Sequence, residues 1–197
     1  MIIAICGLQS SGKDTIGSYL INKYGFTKLS FAGVLKDIVG ILFGWDREML
    51  EGATKESREW REEIDPWWSE KLGIPILTPR YVLQYFGTDL FRNYFHPDIW
   101  VISVERQLSK YNNCVITDCR FPNEIKMLQS YCAKIIKITR GVLPEWYQLY
   151  ESGKIDKPEC IHPSEYLWIK TKFDYELKNN TTIIDLENCI DLIIKSN

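Results

Sequence analysis

The fold of this chain is decided by its first twenty residues, which read Met1-Ile-Ile-Ala-Ile-Cys-Gly-Leu-Gln-Ser-Ser-Gly-Lys-Asp-Thr-Ile-Gly-Ser-Tyr-Leu20. The apolar residues 2–5 predict a buried strand, because a strand covered on both faces does not alternate polar and apolar side chains. Gly7 to Lys13 then show the G-x-x-x-x-G-K spacing of a phosphate-binding loop. A helix predicted to begin at Lys13 would point its positive end at the same anion as the loop N–H groups. The stretch therefore predicts a site for nucleotide phosphates, with Lys13 reaching the β- and γ-phosphates.

The loop departs from the usual pattern directly after its lysine. Asp14 stands where a serine or threonine normally ligates Mg²⁺, and the hydroxyl comes one residue later, at Thr15. Two arrangements follow from this order. Either Thr15 contacts phosphate in place of the missing hydroxyl, or Asp14 holds the metal through water.

Composition limits the class of protein. A chain of 197 residues is long enough for one well-packed α/β domain. A formal net charge of −2 argues against a nucleic-acid-binding surface, which would show a basic excess. The sequence contains no apolar run of about 20 residues and no signal peptide, so we expect a cytoplasmic protein without a membrane span. The six cysteines have no C-x-x-C spacing and predict free thiols rather than a zinc site.

Further strands are predicted along the chain. They lie at residues 26–31, 113–118 and 134–140, with a short last strand formed from 173–175 and 181–184. Helical patterns separate them, as in βαβ units. This alternation predicts an α/β, doubly wound parallel sheet that binds ligands at the carboxyl ends of its strands, and the phosphate-binding loop after the first strand indicates the P-loop NTPase fold.

Charged side chains follow several of these strands. Asp118 ends the third predicted strand, Arg120 lies where that strand becomes a loop, and Arg140 ends the fourth strand. Lys36 lies near the start of the helix that follows the second strand, and predicts a second anion site beside the first. We expect all of these residues at the ligand-binding edge of the sheet.

Two segments lack the strand pattern. Residues 45–80 are interrupted by prolines and hold too few apolar residues for a core of their own, so they predict a helical insertion over a ligand site rather than a separate domain. Its charged run, 55–63, predicts a solvated helix face. Residues 141–165 are polar, proline-bearing and aromatic, and predict a lid over the site. At the end of the insertion, Arg80 lies one helical turn before Gln84, and the pair predicts phosphate and base contacts.

Several nucleotide-binding classes lack support in the sequence. GTPases need an Asp-x-x-Gly switch after the third strand and an Asn-Lys-x-Asp base reader, but Asp118 is followed by Cys-Arg-Phe and no such reader occurs. No glutamate follows Asp118 to activate a water, as it does in ATPases. A kinase for a small molecule fits best.

Three motifs occur together and make a closer comparison possible. They are Gly12-Lys13-Asp14-Thr15, then Leu83-Gln-Tyr-Phe-Gly-Thr-Asp89 followed by Trp100-Val101, and Asp118-Cys-Arg-Phe-Pro-Asn-Glu124. The combination resembles the deoxynucleoside monophosphate kinases of the large bacteriophage and viral type. The His162-x-Ser-Glu165 sequence and the tail around Asn179 add to the resemblance, which covers nearly the whole chain.

The resemblance implies transfer of the γ-phosphoryl group of ATP, with Mg²⁺, to a deoxynucleoside 5′-monophosphate. It implies catalytic roles for Lys13, Arg80, Arg120 and Asp118. Contacts with ATP are implied for Gln9, Ser10, Ser11, Gly12, Lys13, Asp14, Thr15, Ile16, Arg140 and Asn179. Contacts with the acceptor are implied for Ala32, Gly33, Lys36, Arg80, Gln84, Gly87, Thr88, Trp100, Arg120, Asn123 and Glu124, although Trp100 also suits the core. Mg²⁺ would bind mostly through water near Thr15, Asp14 and Asp118. A homodimer in the host cytoplasm, with nucleotides as the small-molecule partners, completes this set of expectations.

Two other functions stay open at this point. A kinase for another small phosphorylated acceptor, of the phosphomevalonate or dephospho-coenzyme A type, shares the loop and the fold. A regulatory protein that binds a nucleotide without transferring phosphate would keep the same loop. The sequence does not rank the acceptor bases or the deoxy and ribo forms.

Overall fold

A computed structural model describes residues 1–196, which fall into two compact units. The first unit contains residues 1–30 and the chain from 104 onward, and the second contains Phe31–Ser103. The predicted insertion, 45–80, lies inside the second unit. That the whole chain forms one domain, with this insertion as a part of it, stays a prediction. None of the helices in residues 1–196 is long and apolar enough to cross a membrane.

The first unit is built on a five-stranded sheet in which every pairing is parallel. Its strands are β1 (Ile2–Cys6), β2 (Thr27–Leu29), β3 (Cys114–Ile116), β4 (Lys134–Thr139) and β5 (Tyr175–Lys178). Their spatial order is β2-β3-β1-β4-β5, so β1 lies in the centre. The predicted α/β fold with a parallel sheet and flanking helices is confirmed.

Apolar side chains fix the sheet against its helices. One face packs on α1 (Lys13–Tyr24) and α11 (Ile183–Lys195) through a buried cluster that includes Ile3, Ile16 and Ile190. The other helices of this unit are α8 (Pro122–Ser130), α9 (Glu145–Glu151) and α10 (Pro163–Tyr166). Because β1 is buried from Ile3 to Cys6, the loop that follows it begins from a rigid position.

The second unit is helical. Its elements are α2 (Gly33–Phe43), α3 (Arg47–Glu51), α4 (Lys55–Trp60), α5 (Pro66–Leu72), α6 (Pro79–Gln84), a π-helical segment (Tyr85–Phe95) and the start of α7 (Ile99–Leu108). Aromatic rings pack around Phe43, which stacks on Trp45 with ring centroids 4.5 Å apart and lies 4.8 Å from Trp68. The indole of Trp45 donates a hydrogen bond to Asp65, and that of Trp68 donates to the carbonyl of Phe43.

The predicted strand at residues 181–184 is wrong. Thr182 is the N-cap of α11, which begins at Ile183. The Thr182 hydroxyl accepts a hydrogen bond from the Asp185 amide, and the Asp185 carboxylate accepts one from the Thr182 amide. This reciprocal capping box stabilises a helix start, and it outweighs the β-branched pattern that favoured a strand.

The segment predicted to be a lid, 141–165, is more firmly packed than its polar composition indicates. Tyr147 and Tyr150 of α9 are buried, and Tyr147 has no exposed surface. The Lys137 ammonium lies 5.9 Å from the centroid of the Tyr147 ring and forms an ion pair with Glu151. These contacts attach α9 to the sheet. Movement of the rest of the segment stays a prediction.

Candidate active site

The predicted phosphate-binding loop connects β1 to α1 in the first unit. Gly12 has φ +108°, and a Cβ atom there would lie 2.5 Å from the Asn179 side chain. A Cβ atom at Gly7 would lie 2.5 Å from the carbonyl oxygen of Ile138. Both glycines are therefore required, one by its backbone conformation and both by their close neighbours.

Lys13 is held at the start of α1. Its ammonium donates a hydrogen bond of 2.6 Å to the carbonyl of Leu8, and the residue is 7% exposed. Burial lowers the pKa of Lys13 to about 8, and the positive charge of Arg120 acts in the same direction. A cation that is buried beside another cation is short of negative charge, which an incoming phosphate supplies.

The predicted metal-binding residues are Asp14, Thr15 and Asp118. Asp14 and Thr15 are exposed. The Asp14 carboxylate accepts a hydrogen bond from the Thr117 hydroxyl at 2.9 Å, and the Asp118 carboxylate accepts one from the Ser30 hydroxyl at 2.7 Å. Within residues 1–196, no three His, Cys, Asp or Glu side chains are grouped so as to hold a metal ion. These oxygen donors fit Mg²⁺ that keeps most of its water and binds substrate phosphates.

Arg120 follows β3 and forms an ion pair with Glu165 of α10, with 3.3 Å between guanidinium and carboxylate. The Arg120 amide donates a 2.6 Å hydrogen bond to the Glu124 carboxylate. Sequence reasoning placed Glu165 only in a shared motif and gave it no role in the site. Its His162-x-Ser-Glu165 motif was the available signal.

Two residues predicted to contact the acceptor have internal partners. Glu124 is 1% exposed, and its carboxylate also accepts a hydrogen bond from the Phe121 amide, so it fixes the turn that carries Arg120. Trp100 is 4% exposed, and its indole donates to the carbonyl of Gly87. A Cβ atom at Gly87 would lie 2.8 Å from the Leu35 side chain. With these contacts, Glu124 and Trp100 support the structure around the site. For Trp100, this is the alternative role in the core that the sequence also allowed.

Asn179 follows β5 and holds the loop. Its side-chain amide donates a 2.9 Å hydrogen bond to the Ser11 carbonyl, and its backbone amide donates to the Thr139 carbonyl. Arg140 is exposed at the same edge of the sheet, and the next amide, of Gly141, donates to the Asn180 side chain. The hydrogen bond to Ser11 makes Asn179 a support for the loop's shape. Its predicted contact with adenine, and that of Arg140, stay predictions.

The remaining predicted acceptor residues lie in the second unit. The Lys36 ammonium pairs with Glu51 at 2.9 Å, and Arg80 pairs with Glu62 at 3.2 Å. Ala32, Gly33, Gln84 and Thr88 are partly exposed. Each unit thus contains one group of predicted residues. The first contains the loop, Asp14, Asp118, Arg120 and Asn179, and the second contains Lys36 and Arg80. The individual roles stay predictions.

Comparison with known proteins agrees with the resemblance. A family model described as deoxynucleotide monophosphate kinase matches residues 74–145. A protein of Acanthamoeba polyphaga mimivirus named "Putative deoxynucleotide monophosphate kinase" is 32% identical over 209 residues, covering 97% of this chain and 96% of that protein. The deoxynucleoside-5′-monophosphate kinase of Escherichia phage T5 is 27% identical over 181 residues, covering 66% of this chain and 72% of its own. The structure of dephospho-CoA kinase from Campylobacter jejuni has a TM-score of 0.48 and 18% identity, and covers 98% of this chain and 96% of its own.

The family model and the mimivirus protein have the same family description, and the mimivirus match extends over almost the full length of both proteins. On this similarity, the chain belongs to the deoxynucleotide monophosphate kinase family.

Proposed function

We propose that this protein transfers the γ-phosphoryl group of ATP to the 5′-phosphate of a deoxynucleoside monophosphate, giving a deoxynucleoside diphosphate and ADP. The observation that carries the proposal is Lys13, a buried cation at the start of a helix, in a chain that belongs to this kinase family. An acceptor oxygen forms a bond to the γ-phosphorus as the bond from that phosphorus to the β-phosphate oxygen breaks. The acceptor is already an anion, so the reaction needs alignment and charge neutralisation more than a strong base.

We assign the binding of the ATP phosphates to the loop and Lys13. The N–H groups of residues 9–15 and the positive end of α1 bind phosphate oxygens, and the Lys13 ammonium exchanges the Leu8 carbonyl for a phosphate oxygen. Asp14, Thr15 and Asp118 would hold Mg²⁺ through water, and the bound ion would neutralise further charge on the phosphates. Asn179 keeps the loop in shape through its hydrogen bond to Ser11.

We assign to Arg120 the neutralisation of the negative charge that develops on the transferred phosphoryl group. A planar guanidinium binds two phosphate oxygens at once, which an ammonium does not. Glu124 fixes the backbone of Arg120, and Glu165 pairs with its side chain. Arg120 is thus oriented by two carboxylates before any substrate arrives.

The acceptor is assigned to the second unit, with Lys36 and Arg80 as its cations and Gln84 and Thr88 for its base and sugar. The proposal also includes a homodimer and a location in the cytoplasm of a host cell. Both curated relatives come from viruses, which supports a viral role in making deoxynucleotides. The net charge of −2 supports nucleotides rather than nucleic acid as partners.

The proposal is tested by product formation. The purified protein is incubated with Mg²⁺, ATP and each of dGMP, dTMP, dCMP, dAMP, the ribonucleotides and two unrelated phosphate-bearing acceptors, and diphosphate products are separated by chromatography. We expect a deoxynucleoside diphosphate from at least one acceptor. Replacing Lys13 by Met should lower turnover by on the order of 10³-fold without unfolding the protein, because the ATP phosphates lose a cation that neutralises charge in the transition state.

The matched control is Lys126→Met, which removes an exposed lysine from α8. It should leave turnover unchanged. Near-normal turnover in Lys13→Met would contradict the proposal. So would tight ATP binding by the wild-type protein without a product from any nucleotide, which is the behaviour of a regulator.

A further inference from the structure

One cation in the second unit lacks the partner that its position calls for. Arg61, the C-cap of α4, is partly buried. Its Nε atom is inaccessible to solvent and has no hydrogen-bond partner within residues 1–196. In the same residues, the Arg61 guanidinium forms no ion pair. The sequence predicted a solvated helix face for 55–63, and for Arg61 that prediction is wrong.

The surroundings of Arg61 hold it tightly in place. A Cβ atom at Gly52 would lie 2.3 Å from the Arg61 Cζ atom, so the guanidinium packs directly on the glycine. The Arg61 carbonyl accepts a 2.9 Å hydrogen bond from the Arg80 amide, which ties the end of α4 to the start of α6. Arg61 is therefore a fixed cation, and not a side chain that can turn out to water at no cost.

The charges around Arg61 do not neutralise it. Burial lowers the pKa of Arg61, and the positive charge of Arg80 lowers it further. Two carboxylates are near, but both bind other cations. Glu62 pairs with Arg80 at 3.2 Å, and Glu51 pairs with Lys36 and Arg47, each at 2.9 Å.

An arrangement of this kind is costly unless a ligand completes it. A buried donor without an acceptor and a cation without an anion both destabilise the folded state. Uncompensated charge of this kind is typical of functional sites. A dianionic phosphate monoester supplies the missing negative charge, because its oxygens can accept hydrogen bonds from the terminal nitrogens of both guanidinium groups.

We propose that Arg61 and Arg80 together bind the 5′-phosphate of the acceptor nucleotide. The inference rests on the proposed function, and it adds to the site a residue that the sequence pattern assigned to solvent. It needs only residues of the second unit. Arg61 is a binding residue in this account, and it has no part in positioning ATP.

The test compares Arg61→Met with a control from the same helix, Arg58→Met. Met keeps much of the length of the side chain and removes its charge, and Arg58 already donates a hydrogen bond to the Ala53 carbonyl. We expect Arg61→Met to raise the KM for the deoxynucleoside monophosphate about 10- to 100-fold, the range for losing charged hydrogen bonds. The KM for ATP should stay the same, and the melting temperature of the free protein should be equal or higher, because an unpaired charge has been removed. Arg58→Met should leave both KM values unchanged.

A second measurement isolates the phosphate. The deoxynucleoside without its 5′-phosphate is used as a competitive inhibitor of wild-type protein and of Arg61→Met. Equal inhibition constants for the two proteins, together with the raised KM for the monophosphate, would locate the effect at the phosphate. An equal loss for nucleoside and monophosphate would overturn the inference. If Arg61→Met does not fold, Arg61→Lys replaces it, with the same expected rise in KM, since lysine cannot make the paired contact.

Failure of this inference differs from failure of the proposed function. Suppose that the wild-type protein makes deoxynucleoside diphosphate and that the folded Arg61 variant has an unchanged KM for the acceptor. This result would overturn only the role of Arg61. Suppose instead that the wild-type protein phosphorylates a different phosphate monoester and that the Arg61 substitution raises the KM for that acceptor. This result would overturn the substrate assignment and would support Arg61 as the residue that binds the acceptor's phosphate.

Discussion

Lys13 has to remain charged in a position that favours its neutral form. Burial and the charge of Arg120 bring the pKa of Lys13 down to about 8 from 10.5. Between these two pH values the unfolded chain holds the extra proton, so the stability of the free protein should rise with pH over this range. Bound phosphates act in the opposite direction on the folded protein, because an anion favours the ammonium. ATP binding and proton uptake are therefore coupled at Lys13.

This coupling gives a prediction for ATP binding. At pH 8, where Lys13 is about half protonated in the free protein, ATP binding should take up about half a proton. Affinity for ATP should fall as pH rises above 8, since more of the free protein must be protonated on binding. Titration calorimetry in two buffers with different ionisation enthalpies measures the proton uptake directly. Lys13→Met should bind ATP more weakly and with the same heat in both buffers. Equal heats for the wild-type protein would show that Lys13 does not change its protonation when ATP binds.

Helices and strands can be predicted from the sequence where neighbouring residues determine where they begin and end. Strand β1, the glycines of the loop and the start of α1 follow from neighbouring residues, and the structure has them as predicted. The end of α1 at Gly25 is equally local, because a left-handed residue terminates a helix. The strand predicted at 181–184 is wrong for a reason that is also local, since the Thr182–Asp185 capping box prevails over the strand preference of the β-branched residues beside it.

Contacts between distant residues could not be predicted in this way. Lys137 lies inside β4, and no neighbouring residue shows that Glu151 and the Tyr147 ring cover it. The pairing of Arg120 with Glu165 joins residues 45 positions apart. Arg61 belongs to a charged run that indicates a solvated face, and only its packing against Gly52 shows that it is held inside. Such pairings are set by the fold, and one sequence contains no record of them.

These contacts refine what the segment 141–165 is able to do. α9 is attached to the sheet through Tyr147 and Lys137, whereas residues 152–154 and 156–157 are exposed. α10 carries Glu165, which pairs with Arg120. We therefore expect the connection between the two helices to respond to phosphate binding at Arg120, while α9 stays in place.

Limited trypsin digestion tests this expectation. Lys154 is exposed and is followed by Ile155, so its peptide bond should be cut in the free protein. Cleavage at Lys154 should slow several-fold when ATP and a deoxynucleoside monophosphate are both present, and less with either alone. Lys126, on the exposed face of α8, serves as an internal reference whose cleavage should not change. Equal rates at Lys154 with and without both nucleotides would mean that the segment is not a lid.

At the scale of the whole molecule, the two predicted ligands divide between the two compact units. All residues assigned to ATP lie in the first unit, and most of those assigned to the acceptor lie in Phe31–Ser103. The first unit is formed by two separate parts of the chain, and the second is continuous. Each unit has its own buried core, with Ile3 and Ile138 in one and Leu50 and Val82 in the other. Binding of each ligand should accordingly be reported by a different part of the chain.

Hydrogen exchange measured by mass spectrometry can separate the two effects. A ligand that binds the folded state slows exchange most strongly in the amides that it orders. ATP with Mg²⁺ should protect peptides that span residues 7–16 and 117–120, because residues 9–15 are assigned to its phosphates, Asp118 to the metal ion and Arg120 to the transferred group. A deoxynucleoside monophosphate alone should protect peptides that span 32–36 and 58–62, and the second of these effects should be lost in Arg61→Met but not in Arg58→Met. Lys13→Met should lose the protection by ATP and keep that by the monophosphate. If ATP instead protected 58–62 and left 7–16 unchanged, the division of ligands between the two units would be contradicted, and with it the assignment of the triphosphate to the loop.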